Sequence, residues 1–200
     1  CTIKTGAALS KIMMKKKRPA MACSKNYTTG DMDMPLLIRE VPTEDAPLDL
    51  LLLADPSEAK VRSYLAQSRC FAASENGTVV GACAVQPLDS GGQELMCIAV
   101  HPDRQKTGIG TALLKWVVDF YRKSGAGRLE VGTGTFGYQL AFYQRQGFRV
   151  TAIDRNFFIH NYPEPIFEDG IQLFDMLRLT LDFGGESHKT SRAQKIPFRS

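Results

Sequence analysis

The sequence predicts one mixed α/β (α+β) domain, a mostly antiparallel central sheet of six to seven strands flanked on both faces by about four helices. Three observations carry the prediction. Apolar runs of strand length alternate with segments of helical period, in the order βααβββαβαββ. Asn76-Gly77 joins two of the apolar runs, and this dipeptide suits the two positive-φ positions of a tight antiparallel hairpin. The chain has 200 residues, which suits one such domain with a tail at each end. The expected organisation is a disordered basic extension over 1–33, the folded domain over 34–183 and a flexible tail over 184–200.

Residues 1–33 show no apolar periodicity and contain Lys15-Lys16-Lys17-Arg18. They lack the apolar core of a secretory signal, so they are expected to be an upstream extension, with a basic interaction arm as the alternative. Leu36 to Val41 is the first expected strand. Thr43 with Glu44 and Asp45 after it signals a helix start, and that helix is expected to run through Leu50–Leu53 to about Asp55. Ser57 is expected to cap a second helix to about Gln67, with Val61 and Leu65 four apart on one face. Residues 69–75 and 78–86 are the hairpin strands, and Asp89 to Gly92 turns the chain into a strand over 93–100. A helix over about 109–124 places Leu113, Trp116, Val117 and Phe120 on one face and stops at Gly125. A strand over 128–132, a helix over 137–146 and strands over 148–153 and 171–181 complete the order. Between the last two, His160 to Gly170 is expected to be an irregular acidic and aromatic loop.

The hydrophobic share of 44% and charged share of 23% are ordinary for a globular chain. No apolar run approaches the roughly 20 residues of a membrane span, so no membrane partner is expected. The five cysteines are odd in number and irregularly spaced, which fits free thiols in a reducing, cytoplasmic compartment. The net charge of +4 is unevenly placed: residues 34–183 hold 14 Lys/Arg against 18 Asp/Glu, and the basic excess lies in the two ends. A nucleic-acid surface needs that excess on a folded face, so nucleic acid is not an expected partner.

The most informative stretch is Glu94 to Leu114. An apolar strand meets His101-Pro102, then a polar glycine-spaced turn, then an amphipathic helix. Such a turn presents unpaired backbone N–H groups at the positive end of the helix dipole, and Gly108 and Gly110 remove β-carbons that would hold an anion away. Arg104 and Lys106 add positive charge beside it. A Walker loop requires Gly-Lys-Ser/Thr, whereas Gly110 is followed by Thr111-Ala112; the dinucleotide fingerprint near the first strand is absent as well.

The pattern Gln105-x-x-Gly108-x-Gly110, directly after Ile98-Ala-Val-His-Pro102, resembles the acetyl-CoA signature of the GCN5-related N-acetyltransferase (GNAT) superfamily. Leu140-Ala-Phe-Tyr143-x-x-x-Gly147-Phe148, about 30 residues on, resembles the family's following helix and strand. The resemblance covers roughly 36–181. It implies a GNAT-like sheet with a splayed cofactor strand, acetyl-CoA as co-substrate, and direct acetyl transfer to an amine without a metal. It also allows a homodimer, which nothing in the sequence itself shows.

By resemblance, the amides of Gln105, Lys106, Thr107, Gly108, Ile109, Gly110 and Thr111 would hold the pyrophosphate, with Gln105 shaping the loop. Backbone groups of Ile98, Ala99 and Val100 would bond the pantetheine and the thioester oxygen, donors worth about 10²–10³ in rate. Thr135 stands where relatives often place an Asn that bonds the pantetheine. The chemistry also needs a neutral amine, and a lysine-like ammonium is about one part in a thousand neutral at pH 7.4. Glu94 matches the general base of the histone-acetylating branch; its alternative is a solvated charge at the strand start. Glu130 is a second carboxylate, expected to face solvent or to pair with Arg128 or Arg149. Tyr143 matches the tyrosine that protonates the leaving thiolate; ordinary helix packing is its alternative.

Cys97 has no His or helix N-terminus near it in sequence and is expected in the core; His101 and His160 lack ligand spacing, so no metal is expected. The acidic body, with Asp154, Glu164, Glu168 and Asp169 near the aromatic loop, suits a small cationic acceptor of the polyamine or aminoglycoside-antibiotic type. A protein or peptide amine, or a non-catalytic acetyl-CoA-binding module, are the competing readings.

Overall fold

Seven strands hydrogen-bond into one sheet in the computed structural model, which describes residues 35–184. The expectations for 1–33 and for the tail beyond Gly184 lie outside the described residues. In chain order the strands of this sheet are β1 (Leu37–Val41), β2 (Arg69–Glu75), β3 (Thr78–Pro87), β4 (Gln93–Val100), β5 (Arg128–Gly134), β6 (Arg149–Asp154) and β9 (Met176–Asp182). A separate hairpin pairs β7 (Phe167–Glu168) with β8 (Ile171–Gln172). The sheet order is β1-β2-β3-β4-β5-β9-β6, and β4–β5 is its parallel pair. Asn76 and Gly77 take positive φ at the β2–β3 turn, the geometry that dipeptide favours.

Helices cover both faces. On one, α3 (Ile109–Lys123) buries Ile109, Leu113, Leu114, Val117, Val118 and Tyr121, joined by Phe142 and Tyr143 of α4 (Tyr138–Arg145). Leu113 and Leu114 are fully buried, each worth about 1.5–3 kcal/mol of hydrophobic stabilisation. Trp116 is half-buried at the edge of this core, stacked on Phe120 with ring centroids 5.4 Å apart. On the other face, α1 (Leu48–Leu51) and α2 (Glu58–Leu65) cover Cys70, Ala72, Ala82, Ala84, Met96 and Cys97.

Four expectations are corrected. The helix expected from Thr43 to Asp55 is a 3-10 turn over Thr43–Asp45 followed by the single turn of α1. Pro47 is the reason: it disfavours the helical region for the residue before it, and Ala46 is extended at φ −61°, ψ 130°. Ser57 holds the N-cap position of α2 without a side-chain cap bond, and its N–H donates to Asp55 Oδ1 at 3.0 Å. The strand expected over 171–181 divides into β8 and β9, and the irregular loop holds β7 and the end of a fifth helix, α5 (Phe157–Asn161). Phe157, Phe158 and Tyr162 pack there with Leu173 and Met176 into a third apolar cluster.

Candidate active site

The site begins with a defect in β4. Register with β3 passes from Ala84↔Cys97 to Val85↔Leu95, which leaves Met96 as an extra residue on β4. Met96 and Cys97 consequently pack into the same core, against α1 and α2, while Leu95 and Ile98 face α3. On its other side β4 pairs with β5 only from Gln93↔Leu129 to Leu95↔Val131. Beyond that register the two strands have no further pairing, and β4 backbone from Met96 to Val100 opens onto the gap between them.

On the α3 face of this gap lies a cavity of about 60 Å³ lined by Val100, Gln105, Lys106, Gly108, Gly110, Thr111, Tyr138 and Phe142. The first intrahelical bond of α3 runs from Ala112 N–H to Gly108 O at 2.9 Å, so helix geometry leaves the amides before Ala112 without intrahelical acceptors. Gly108 sits at φ 91°, a conformation that favours glycine, and a β-carbon there would meet nothing within 4 Å. Lys106 is itself left-handed at φ 64°. Gln105 Nε2 donates to Val100 O at 3.1 Å and ties the turn to the end of β4. The Thr107 hydroxyl donates to Arg104 O at 2.6 Å, and Arg104 pairs with Glu75. These features fit a diphosphate-bearing ligand.

On the opposite face stand the carboxylates. Glu94 is 3% exposed, which corrects the solvated alternative: Arg178 Nη1 donates to its Oε1 at 2.6 Å, and Arg178 Nε donates to Asp154 Oδ2 at 2.8 Å. The arginine reaches across β5 at Gly132, its register partner, where no side chain intervenes. Burial raises the Glu94 pKa, with the Arg178 charge and hydrogen bond opposing it. Glu130 pairs with Arg128 at 2.6 Å.

A separate small cavity of about 20 Å³ is lined by Ala54, Pro56, Gln139, Ile166, Phe167, Glu168 and Leu173. Glu168 leans over the end of β5: a β-carbon on Gly137 would lie 2.5 Å from its Oε1, and one on Gly134 3.6 Å from its Oε2. Glu164 and Asp169 are exposed and are not among the lining residues.

Six of the expected cofactor residues, Val100, Gln105, Lys106, Gly108, Gly110 and Thr111, thus line one cavity. Ile98, Ala99 and Ile109 are buried and pack into the cores on either side of the sheet. Thr107 and Thr135 are exposed and do not line the cavity. Tyr143 is fully buried, its ring edge-on to Phe142 at 5.2 Å and to Phe148 at 5.7 Å. Cys97 is buried, and burial pushes its thiol up to about 12, the wrong direction for a nucleophile. Tyr138 and Arg178 were missed: an i, i+4 aromatic pair with Phe142 was the signal for the first, while a lone Arg inside an apolar strand gives none for the second. Among the described residues no group of three or more His, Cys, Asp or Glu is placed to hold a metal, and no helix is long and apolar enough to cross a membrane.

A model of the acetyltransferase (GNAT) domain matches residues 66–150. The chain is 42% identical over 141 residues to a Bacillus subtilis (strain 168) protein described as the uncharacterized N-acetyltransferase YvbK, covering 70% of this chain and 91% of that one. Among solved structures it is similar to an IAA acetyltransferase from Bacillus cereus ATCC 14579, at 39% identity and a TM-score of 0.71, covering 74% of this chain and 99% of that one. It is also similar to a GNAT acetyltransferase from Elizabethkingia anophelis with acetyl-CoA bound, at 40% identity and a TM-score of 0.70, covering 74% and 97%. The chain belongs to the GNAT N-acetyltransferase family and is an acyltransferase.

Proposed function

We propose that the protein transfers the acetyl group of acetyl-CoA directly to the primary amine of a small cationic acceptor of the polyamine type, in the cytoplasm where that co-substrate is made. The observation that carries this reading is the cationic glycine turn lining a cavity beside the opening between β4 and β5, with the Glu94–Arg178–Asp154 network on the opposite face of the sheet. The amides of 105–111, with Lys106, would hold the pyrophosphate, and Tyr138 and Phe142 would flank the pantetheine. Acetyl-CoA supplies an activated acetyl group. The amine nitrogen forms the new bond to the acetyl carbon, the carbon–sulfur bond breaks, and the Tyr143 hydroxyl gives its proton to the departing thiolate.

Glu94 draws protons from the acceptor side while Arg178 keeps its charge compensated. A small cavity on this side is lined mostly by apolar side chains, with Glu168 and Gln139 as its polar groups, and the carboxylates of this side favour a cationic acceptor. Thiol release from acetyl-CoA across alkylamines, polyamines, aminoglycosides, amino acids and peptides tests this. Turnover with alkyl di- and polyamines is expected; turnover confined to peptides or to aminoglycosides overturns the acceptor class, and CoA binding with no turnover on any amine overturns the enzyme reading of the site.

A further inference from the structure

The helix α4 starts without the devices that usually open a helix. Its N-cap is Gly137, which has no side chain to accept from the first amides, and no acidic residue stands in its first turn. The gap is filled from elsewhere in the chain. Glu168 ends β7 beside a two-residue turn, Asp169 and Gly170, whose positive φ angles are those of a tight antiparallel hairpin. The Glu168 carboxylate lies against Gly137: a β-carbon there would be 2.5 Å from Oε1, 3.0 Å from Cδ and 3.5 Å from Oε2. Where a β-carbon points relative to the following helix is set by ψ, and ψ of Gly137 is −175°, extended as at an ordinary N-cap. The carboxylate therefore stands in the space that the side chain of an N-cap Asp or Ser would take. Glycine is required at 137 twice, by its φ of 91° and by that space. At the end of β5, a β-carbon on Gly134 would lie 3.1 Å from Leu173 Cδ2 and 3.6 Å from Glu168 Oε2, so this glycine also lets the hairpin segment come close.

We infer that Glu168 is a positioning residue: it caps α4 from the hairpin and so holds in place the helix that carries Tyr138, Phe142 and Tyr143. A carboxylate at that place complements the unpaired amides of the first turn and the positive end of the helix dipole. A helix of eight residues has little stability of its own, so a single cap is a large part of what fixes its start. Tyr138 and Phe142 line the cofactor cavity, and Tyr143 packs edge-on between Phe142 and Phe148. Phe167 of the same hairpin lines the small cavity on the acceptor side, so Glu168 ties that side to the helix that serves the cofactor. The inference rests on the reading of Tyr143 as the acid and of Tyr138 and Phe142 as the flank of the pantetheine.

The test is Glu168→Ala beside Glu168→Gln, the second of which keeps an oxygen that can accept from the helix amides. CoA is titrated by calorimetry with no amine present, and steady-state kinetics use the best alkylamine of the wild-type panel, with thermal melting alongside. Glu168→Ala is expected to weaken CoA binding by about 3- to 10-fold and to lower kcat by about 10-fold. Glu168→Gln recovers most of both losses while its amine KM stays raised. The amine-free titration is decisive, because a residue that only contacts the acceptor, or only stabilises the fold, leaves it unchanged. Unaltered CoA affinity and kcat in Glu168→Ala, with a raised amine KM or a lowered melting temperature alone, overturn the inference. Losses as large in Glu168→Gln as in Glu168→Ala overturn it too, since the capping oxygen would then count for nothing. If Tyr143→Phe leaves kcat unchanged while Glu168→Ala still weakens CoA binding, the reading of Tyr143 fails and the cap stands. Failure of the wild type on every amine defeats the acceptor reading, and the CoA titration then decides this inference by itself.

Discussion

The two sides of the strand opening are built in different ways. The cofactor side comes mainly from one contiguous stretch, β4, the glycine turn and α3, with α4 closing it. Local geometry suffices there: a helix start, positive-φ positions and unpaired amides are properties of neighbouring residues. The proposed acceptor side draws on the Glu94–Arg178–Asp154 network of β4, β9 and β6, and on a small cavity formed by the α1–α2 link, the start of α4 and residues from Ile166 to Leu173. Its central ion pair joins residues 84 apart in sequence. A side assembled that way depends on the global fold, so the same kind of substitution is expected to act on binding on one side and on stability on the other.

The sharpest way to break that comparison is Arg178→Met. It leaves Glu94 buried without its partner, a change expected to cost about 3–5 kcal/mol. A fall in melting temperature of about 10 °C follows, and Arg178→Met with Glu94→Leu recovers much of it. A melt within about 2 °C of wild type would show that the pair is not structural. On the cofactor side, Gly108→Val puts a β-branched residue at a left-handed position and is expected to weaken CoA binding on the order of 100-fold by calorimetry. Its effect on the acceptor KM, measured at saturating acetyl-CoA, should be small; equal losses on both sides would mean the faces are coupled.

Tyr143→Phe keeps the edge-on packing with Phe142 and Phe148 and removes only the hydroxyl. It is expected to lower kcat by about 10- to 100-fold with both KM values nearly unchanged, below the usual ceiling for general acid catalysis. Unchanged kcat would reassign Tyr143 to the core. Glu168→Gln is expected to raise the amine KM by about 3- to 10-fold without altering CoA affinity.

The smallest effect is a pH dependence that separates two carboxylates. Burial raises the Asp55 pKa above its ordinary 3.8, so the folded protein holds a proton that the unfolded chain has lost. Stability from this group is present below 3.8 and declines as pH rises through the raised value. Asp55→Asn should therefore gain on wild type in melts as pH increases through that window. Glu40 does the reverse: its hydrogen bond to Arg69 lowers its pKa below the ordinary 4.5, and its stabilisation is lost as pH falls through the lowered value. A flat difference between Asp55→Asn and wild type from acid to neutral pH would show that the carboxylate is solvated.

Sequence alone determined the strand-and-helix order, the hairpin at Asn76-Gly77, the glycine turn after β4 and the family, because each rests on residues close together in the chain. It missed the break at Pro47, although Ala46 before a proline was a readable sign, and it missed α5, whose five residues Phe157–Asn161 are too short to show a period. Only the tertiary structure decided the state of Glu94. An acidic residue opening an apolar strand looks the same whether water or Arg178 stands beside it, and the arginine arrives from β9 through the space left at Gly132. Asp55 carries the same lesson. Asp55-Pro56-Ser57 reads as a helix boundary, which it is, while the complete burial of Asp55 is set by packing across elements that no local pattern encodes.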